Sequence, residues 1–274
     1  MRKKLFIFAI ITILIGVLSA CGSDSDEASD QLSDEKLVVG VTSGIHEEIF
    51  EVIQDLAAED GLEIELKVFS DYIMPNTALD EGDLDVNSYQ HKPFMDKFNE
   101  DHNTNLAAYA VTTLSPIGVY SHDITDINDL PDGAKIGIAN DPTNGARALI
   151  MFEEAGLIKL DDEDKENASV LDIVENEKDL DFIEIEAAQI PKQLSELDLG
   201  VINGNFALEN DLDPLEDSIL SESSDTPFVN QLVVREENLD DPVLETLKEL
   251  YHSQEVVDFI LDKYEGIILP GWDY

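Results

Sequence analysis

Residues 71–94 read DYIMPNTALDEGDLDVNSYQHKPF, and how this stretch parses decides the fold. It follows Leu62, Ile64, Leu66 and Val68, which alternate with polar residues at the period of a half-buried strand. Asp71-Tyr72 closes that strand, and Pro75-Asn76 carries helix-start chemistry, so Tyr72 belongs at a strand-to-helix corner. A second short strand is predicted from Leu84 to Asn87. It ends in Ser88-Tyr89-Gln90-His91, and Pro93 is placed to open the next helix. Two strand tips thus bring Tyr72, Tyr89, His91 and Phe94 to one sheet edge, and open α/β sheets take ligands at the carboxyl ends of their strands. Two readings are open at this point: an apolar pocket wall, or aromatic residues packing an ordinary core.

Outward from this stretch the chain is β-α-β in character. Leu37 to Val41 is an apolar run of buried-strand type, Thr42-Ser43-Gly44 is a turn with a helix-start hydroxyl, and Ile45 to Ala57 is apolar at helical spacing with Gly61 at the stop. Strands are expected at 105–114, 117–120, 135–139, around Phe182 to Ile185, at 198–203, where Asn203-Gly204-Asn205 breaks the strand, and at 231–235. Helices are expected after Pro142, after Ile190, and over 242–251 and 254–264, while 160–169 and the acidic 210–225 read as loops. The neighbourhood changes near Ser115-Pro116 and again near Pro227. This predicts two α/β lobes, 37–115 completed by 228–274, and 116–227, with a ligand cleft between them.

The first 20 residues read as an export signal. Arg2, Lys3 and Lys4 precede an apolar run, Leu5 to Leu18, too short for a bilayer span, which takes about 20 residues. Leu18-Ser19-Ala20-Cys21 resembles a lipobox, in which Cys21 is lipidated after cleavage. It is the only cysteine, so no intrachain disulfide can form. Residues 21–36 then read as an acidic, solvated tether.

Arg147 is one turn inside the helix that starts near Pro142, close to free backbone N–H groups and the positive helix end. A guanidinium there suits bidentate capture of a carboxylate, or else an ion pair with one of the many acids. Asn205 and Asn230 stand near strand ends, where amides either meet a polar ligand or form turns. No HExxH, no G-x-S-x-G and no phosphate-cradling glycine loop occurs, so enzyme readings fare poorly and no cofactor or metal is expected.

FSDYIMPNTAL (69–79), LDVNSYQHKPF (84–94), PIGVYS (116–121), DLPDGAKI (129–136), RAL (147–149), DIVEN (172–176) and VINGNFAL (201–208) together resemble the methionine-binding lipoproteins of ABC-type importers, the NlpA/MetQ family. The resemblance covers nearly all of 37–272. It implies a two-lobed, type II periplasmic-binding-protein-like fold with a ligand cleft between the lobes. It implies a lipid-anchored, extracytoplasmic solute-binding protein, monomeric, that captures L-methionine or a close analogue for a membrane permease; another small amino acid or a short peptide is the alternative. Tyr72, Tyr89, His91 and Phe94 would line the side-chain pocket, Arg147 would clamp the α-carboxylate, and Asn205 and Asn230 would hold the polar end. The family often carries Phe at the position of Tyr89 and Tyr at that of Phe94, so a hydroxyl has moved.

Composition adds one constraint. Against 61 acidic residues stand 16 basic ones, a net charge of −45, which excludes nucleic acid as a partner. The acids are spread along the chain, as in surfaces that stay hydrated in high salt. Thermal unfolding is therefore expected to shift upward between dilute buffer and molar salt; coincident melts would remove this reading.

Overall fold

The computed structural model describes residues 31–161, 165–223 and 226–272. The expected export signal, Cys21 and the first part of the acidic tether lie outside them. The tether ends sooner than expected. Leu32 is buried, and its N–H donates to the Asp241 carboxylate at 2.9 Å, so the chain is already docked there.

Chain order begins β1 (Lys36–Thr42), α1 (Ile45–Glu59), β2 (Glu63–Phe69), α2 (Met74–Asp80), β3 (Val86–His91), α3 (Lys92–His102) and β4 (Leu106–Leu114). Next come β5 (Ile117–Tyr120), β6 (Lys135–Ala139), α4 (Pro142–Glu154), β7 (Lys159–Leu160), β8 (Ile173–Glu175) and β9 (Asp181–Ile185). The chain continues through α5 (Ile190–Gln193), β10 (Leu199–Asn203), α6 (Gly204–Glu209) and β11 (Leu220–Ser221). It closes with β12 (Val229–Arg235), α7 (Pro242–Tyr251), α8 (Gln254–Tyr264) and β13 (Leu269–Pro270).

Two mixed sheets result. The first has the order β13-β4-β12-β3-β1-β2 and the second β11-β5-β10-β6-β9, with β7 and β8 paired separately. The protein is two-lobed α/β. Residues between Leu114 and Ile117 carry the chain out of the first sheet, and residues between Ser221 and Val229 carry it back. Alternation along the strands gives each sheet two covered faces. In the first, Val39, Val41, Leu232 and Val234 pack under α1, α7 and α8, while Val233 packs with Leu79, Met95 and Phe98 of α2 and α3. In the second, Val119 and Val201 face α4, and Tyr120 and Ile202 face α5 and α6.

Three local expectations are corrected. The hydroxyls of Thr42 and Ser43 do not cap α1; Gly44 occupies the cap position at φ 74°, a left-handed conformation that glycine adopts without strain. The second strand of the opening stretch starts at Val86 and runs through His91, every residue buried, rather than ending at Asn87. Its polar residues are tolerated because β3 is central and Asn87 and Gln90 bond in a closed amide network with Asn76 of α2. Third, Asn203-Gly204-Asn205 does not merely break a strand; it starts α6. Arg235, the other described arginine besides Arg147, is structural: its Nη1 donates to the carbonyls of Leu79 and Leu84 at 2.8 and 2.6 Å, tying the α2–β3 turn to β12.

Gly204 lies against the outgoing connection. A Cβ there would stand 2.5 Å from Ser115 Oγ and 3.0 Å from the Pro116 carbonyl oxygen. The carbonyl is backbone and cannot rotate aside, so Gly204→Ala is expected to lower unfolding stability by about 1–3 kcal/mol. Denaturant unfolding checks this, and an unchanged midpoint would show that the seam yields freely.

Candidate functional site

The strand tips of the two sheets face each other across a cavity of about 360 Å³, counted to its mouth. All seven residues singled out in the sequence, Tyr72, Tyr89, His91, Phe94, Arg147, Asn205 and Asn230, line it.

One wall is aromatic. Tyr72 follows β2, Tyr89 and His91 stand on β3, and Phe94 is in the first turn of α3. The Tyr72 and Tyr89 rings stack with centroids 5.8 Å apart, and Phe94 meets Tyr72 edge-on at 6.0 Å. Phe206 of α6 reaches across from the second lobe to stack on Tyr72 at 4.8 Å. Burial first, then nearby acids, pushes both phenols' pKa values well above their ordinary range, so they act as neutral donors. The Tyr89 hydroxyl does not face the cavity: it donates to the Tyr72 carbonyl at 2.6 Å. Tyr72 in turn donates to Asn205 Oδ1 at 2.6 Å, a bond between lobes.

The opposite wall is polar and starts from Asp141. Its carboxylate caps α4, accepting from the Asn144 backbone N–H at 2.9 Å and from the Asn144 side-chain amide at 3.0 Å on each oxygen. With its Nδ2 so held, Asn144 turns Oδ1 to the cavity, where Asn203 Nδ2 donates to it at 3.0 Å. His91 Nδ1 accepts the Phe94 N–H at 3.2 Å, so its proton sits on Nε2 and is donated to Asn144 Oδ1 at 3.3 Å, a second bond between lobes. Burial, with the Arg147 charge second, brings the His91 pKa down to about 3, which fits this neutral tautomer.

Arg147, on the cavity side of α4, is 3% exposed. Its fork is already engaged by an acid, the second of the two readings open from the sequence. Nε donates to Glu222 Oε1 at 2.6 Å, Nη2 donates to Glu222 Oε2, and Nη2 also donates to the Ser115 carbonyl at 3.1 Å. The Phe228 ring lies under the guanidinium at 4.6 Å. Nη1 alone is left without a partner among the described residues, so any carboxylate here is met end-on.

Several buried polar atoms around the cavity have no protein partner: Asn205 Nδ2, Ser115 Oγ and His46 Nδ1. Asn230, set beside His91 by antiparallel pairing of β12 with β3, makes no side-chain hydrogen bond among the described residues. Buried polar atoms are rarely left unmatched, so Asn205 Nδ2, Ser115 Oγ and His46 Nδ1 are open to a polar molecule. The lining combines one cation, several neutral polar side chains and an aromatic surface, which is the chemistry of binding rather than of bond-making. Among the described residues no His, Cys, Asp or Glu group has metal-holding geometry.

Sequence reasoning missed His46, Ser115, Asn144, Phe206, Phe228 and Glu222. His46 reads as a helix-start residue, and Glu222 is one acid among many in 210–225. Only Asn144 carried a signal, three residues after a capping Asp.

The family model for NlpA lipoproteins matches residues 37–272. The D-methionine-binding lipoprotein MetQ of Escherichia coli K12 is 38% identical over 275 residues, covering 99% of this chain and 100% of that protein. Among solved structures, a nutrient-binding protein from Burkholderia cenocepacia bound to methionine superposes with a TM-score of 0.84 at 40% identity, covering 86% of this chain and 100% of the other. The methionine-binding protein MetQ superposes at 0.85 with 38% identity, covering 88% and 100%.

The two cavity histidines also set a pH dependence. Burial holds His46 at about 4 and His91 at about 3, both below the ordinary 6.5, so the unfolded chain takes up more protons as pH falls. Their contribution to stability is full above 6.5 and is lost on acidification towards the folded values. Unfolding free energy is expected to fall from about pH 6.5 to about 5, before most carboxylates titrate, and His46→Gln/His91→Gln is expected to flatten that slope. Denaturant unfolding across the window reads it directly; equal slopes would contradict the burial of the two rings.

Proposed function

The chain belongs to the NlpA lipoprotein family, and from that membership and its cavity we propose that it captures L-methionine, or a close analogue, as the solute-binding lipoprotein of an ABC-type importer. The observation that carries the reading is that the buried, unmatched Asn205 Nδ2 and the one cation, Arg147, line the same cavity as the aromatic wall of Tyr72, Tyr89 and Phe94. A zwitterion suits both ends. Its carboxylate meets the donors, and a thioether packs on aromatic edges, at about 0.3–1.5 kcal/mol per contact.

The seven cavity residues are then the ligand contacts, and no covalent step is involved; the protein binds rather than catalyses. The lobes, divided at 115/116 and 227/228, close by bending at those connections, with Tyr72–Asn205 and His91–Asn144 joining across the cleft once the ligand is in. Among the described residues no helix is long and apolar enough to cross a membrane. Cleavage after residue 20 and diacylation of Cys21 would instead anchor the chain on the outer face of the cell membrane by two acyl chains. There it would act as a monomer beside its permease, its acidic surface suited to a saline exterior.

Calorimetry of the purified chain with L- and D-methionine, in high salt, tests the reading; absence of binding by both would end it, and stronger binding of another amino acid would redirect it. Arg147→Ala is expected to weaken methionine by at least about tenfold, because a buried carboxylate loses its cation. Tyr89→Ala is expected to reduce affinity for methionine more than for alanine, and equal losses would show that the ring does not touch the thioether.

A further inference from the structure

Glu222 stands behind Arg147, on the side away from the cavity. It lines a separate groove with Ile150, Met151 and Glu154, and it is not among the cavity residues. We propose that Glu222 is a positioning and specificity-determining residue of the ligand site: it holds the guanidinium so that only Nη1 faces the cavity, and by balancing that charge it tunes the site to a net-neutral zwitterion rather than an anion. The proposal rests on the reading of the cavity as an amino-acid site.

The pair is built in, not adventitious. Both side chains are nearly inaccessible, at 3% and 9%. Glu222 Oε1 takes Nε at 2.6 Å and Oε2 takes Nη2, a two-point grip that fixes the plane of the guanidinium. Glu222 is itself fastened at the end of β11: its N–H donates to the Ile117 carbonyl at 3.0 Å, the Ile117 N–H donates to Oε2 at 3.4 Å, and the Thr226 hydroxyl donates to Oε1 at 3.4 Å. A carboxylate so tethered cannot swing into the cavity to take the ligand's place. It sets the direction of Nη1 instead.

Charge gives the second half. Arg147 is the one cation among the cavity residues, since His46 and His91 are neutral there. With Glu222 in place its charge is balanced, and the acids whose charge reaches the two tyrosines, Asp71, Asp141 and Glu209, leave the surroundings favourable to an ammonium group. Without Glu222 an unbalanced buried guanidinium would favour any anion. The site would then lose its preference for a ligand that brings its own positive charge.

The test compares methionine with 4-(methylsulfanyl)butanoate, which keeps the thioether and carboxylate but lacks the ammonium. Calorimetry on the unaltered chain, Glu222→Gln and Glu222→Asp gives the ratio of the two dissociation constants for each. In Glu222→Gln the ratio is expected to move towards the anion by roughly tenfold, the Coulomb difference of one charge at partly buried range. Glu222→Asp keeps the charge but shortens the grip, so both affinities fall while the ratio stays within about threefold of the original. An unmoved ratio in a folded Glu222→Gln, or a shifted ratio in Glu222→Asp, would reduce Glu222 to a brace and overturn the proposal. If Glu222→Gln does not fold, undiminished binding of both ligands by Glu222→Asp overturns it equally. No binding of methionine by the unaltered chain is a different result, and removes the amino-acid reading on which the proposal stands.

Discussion

A single partly buried carboxylate, Asp141, orders most of what surrounds the cavity. It caps α4, which fixes where that helix starts and so brings Arg147 to the cavity wall one turn later. Through the same oxygens it holds the Asn144 amide, which leaves Asn144 Oδ1 as the acceptor for His91 from the other lobe. Its pKa is raised, by burial first, with the bonds from Asn144 and Thr143 opposing that shift. One side chain therefore couples a helix start, an amide orientation, a histidine tautomer and a contact between lobes.

The aromatic wall obeys a complementary rule. Every hydroxyl on it is turned away from where an apolar group would lie: Tyr89 to a backbone carbonyl, Tyr72 to Asn205. What faces inward is ring surface. The polar side chains of the lining, Arg147, Asn144, Asn203, Asn205 and Asn230 among them, stand on other elements. Such a division suits a molecule with one charged end and one soft, polarisable tail.

Much of this was legible in the sequence because it rests on local chemistry. Strands with clear apolar periodicity and the two closing helices, Pro242–Tyr251 and Gln254–Tyr264, appear where the pattern puts them. The seven residues singled out, all in the cavity lining, lie in or near short strands and helix starts that local punctuation reveals, and the roles proposed for them come from the family resemblance. What escaped notice depends on tertiary pairing. β3 hides buried polar residues that have no apolar period, because their amides are satisfied by α2. Glu222 escaped because in a chain this acidic no single carboxylate stands out. An ion pair for Arg147 is one of the readings the sequence allows, but nothing local says which of the many acids takes its fork. His46 looked like a helix opener, and only the packing of α1 against the second lobe turns it towards the cavity.

The Tyr72–Asn205 bond has a consequence for how the site is assembled. Asn205 directs Nδ2 inward because its oxygen is held by a hydroxyl on the opposite lobe. Part the lobes, and that amide is free to rotate; the donor exists as an aimed group only when the gap is shut. Recognition is thus conditional on geometry that recognition itself favours, so the observed affinity is the intrinsic one scaled by the fraction of molecules already shut. Substitutions far from the ligand that merely bias this opening would then change how tightly the protein grips without touching what it grips.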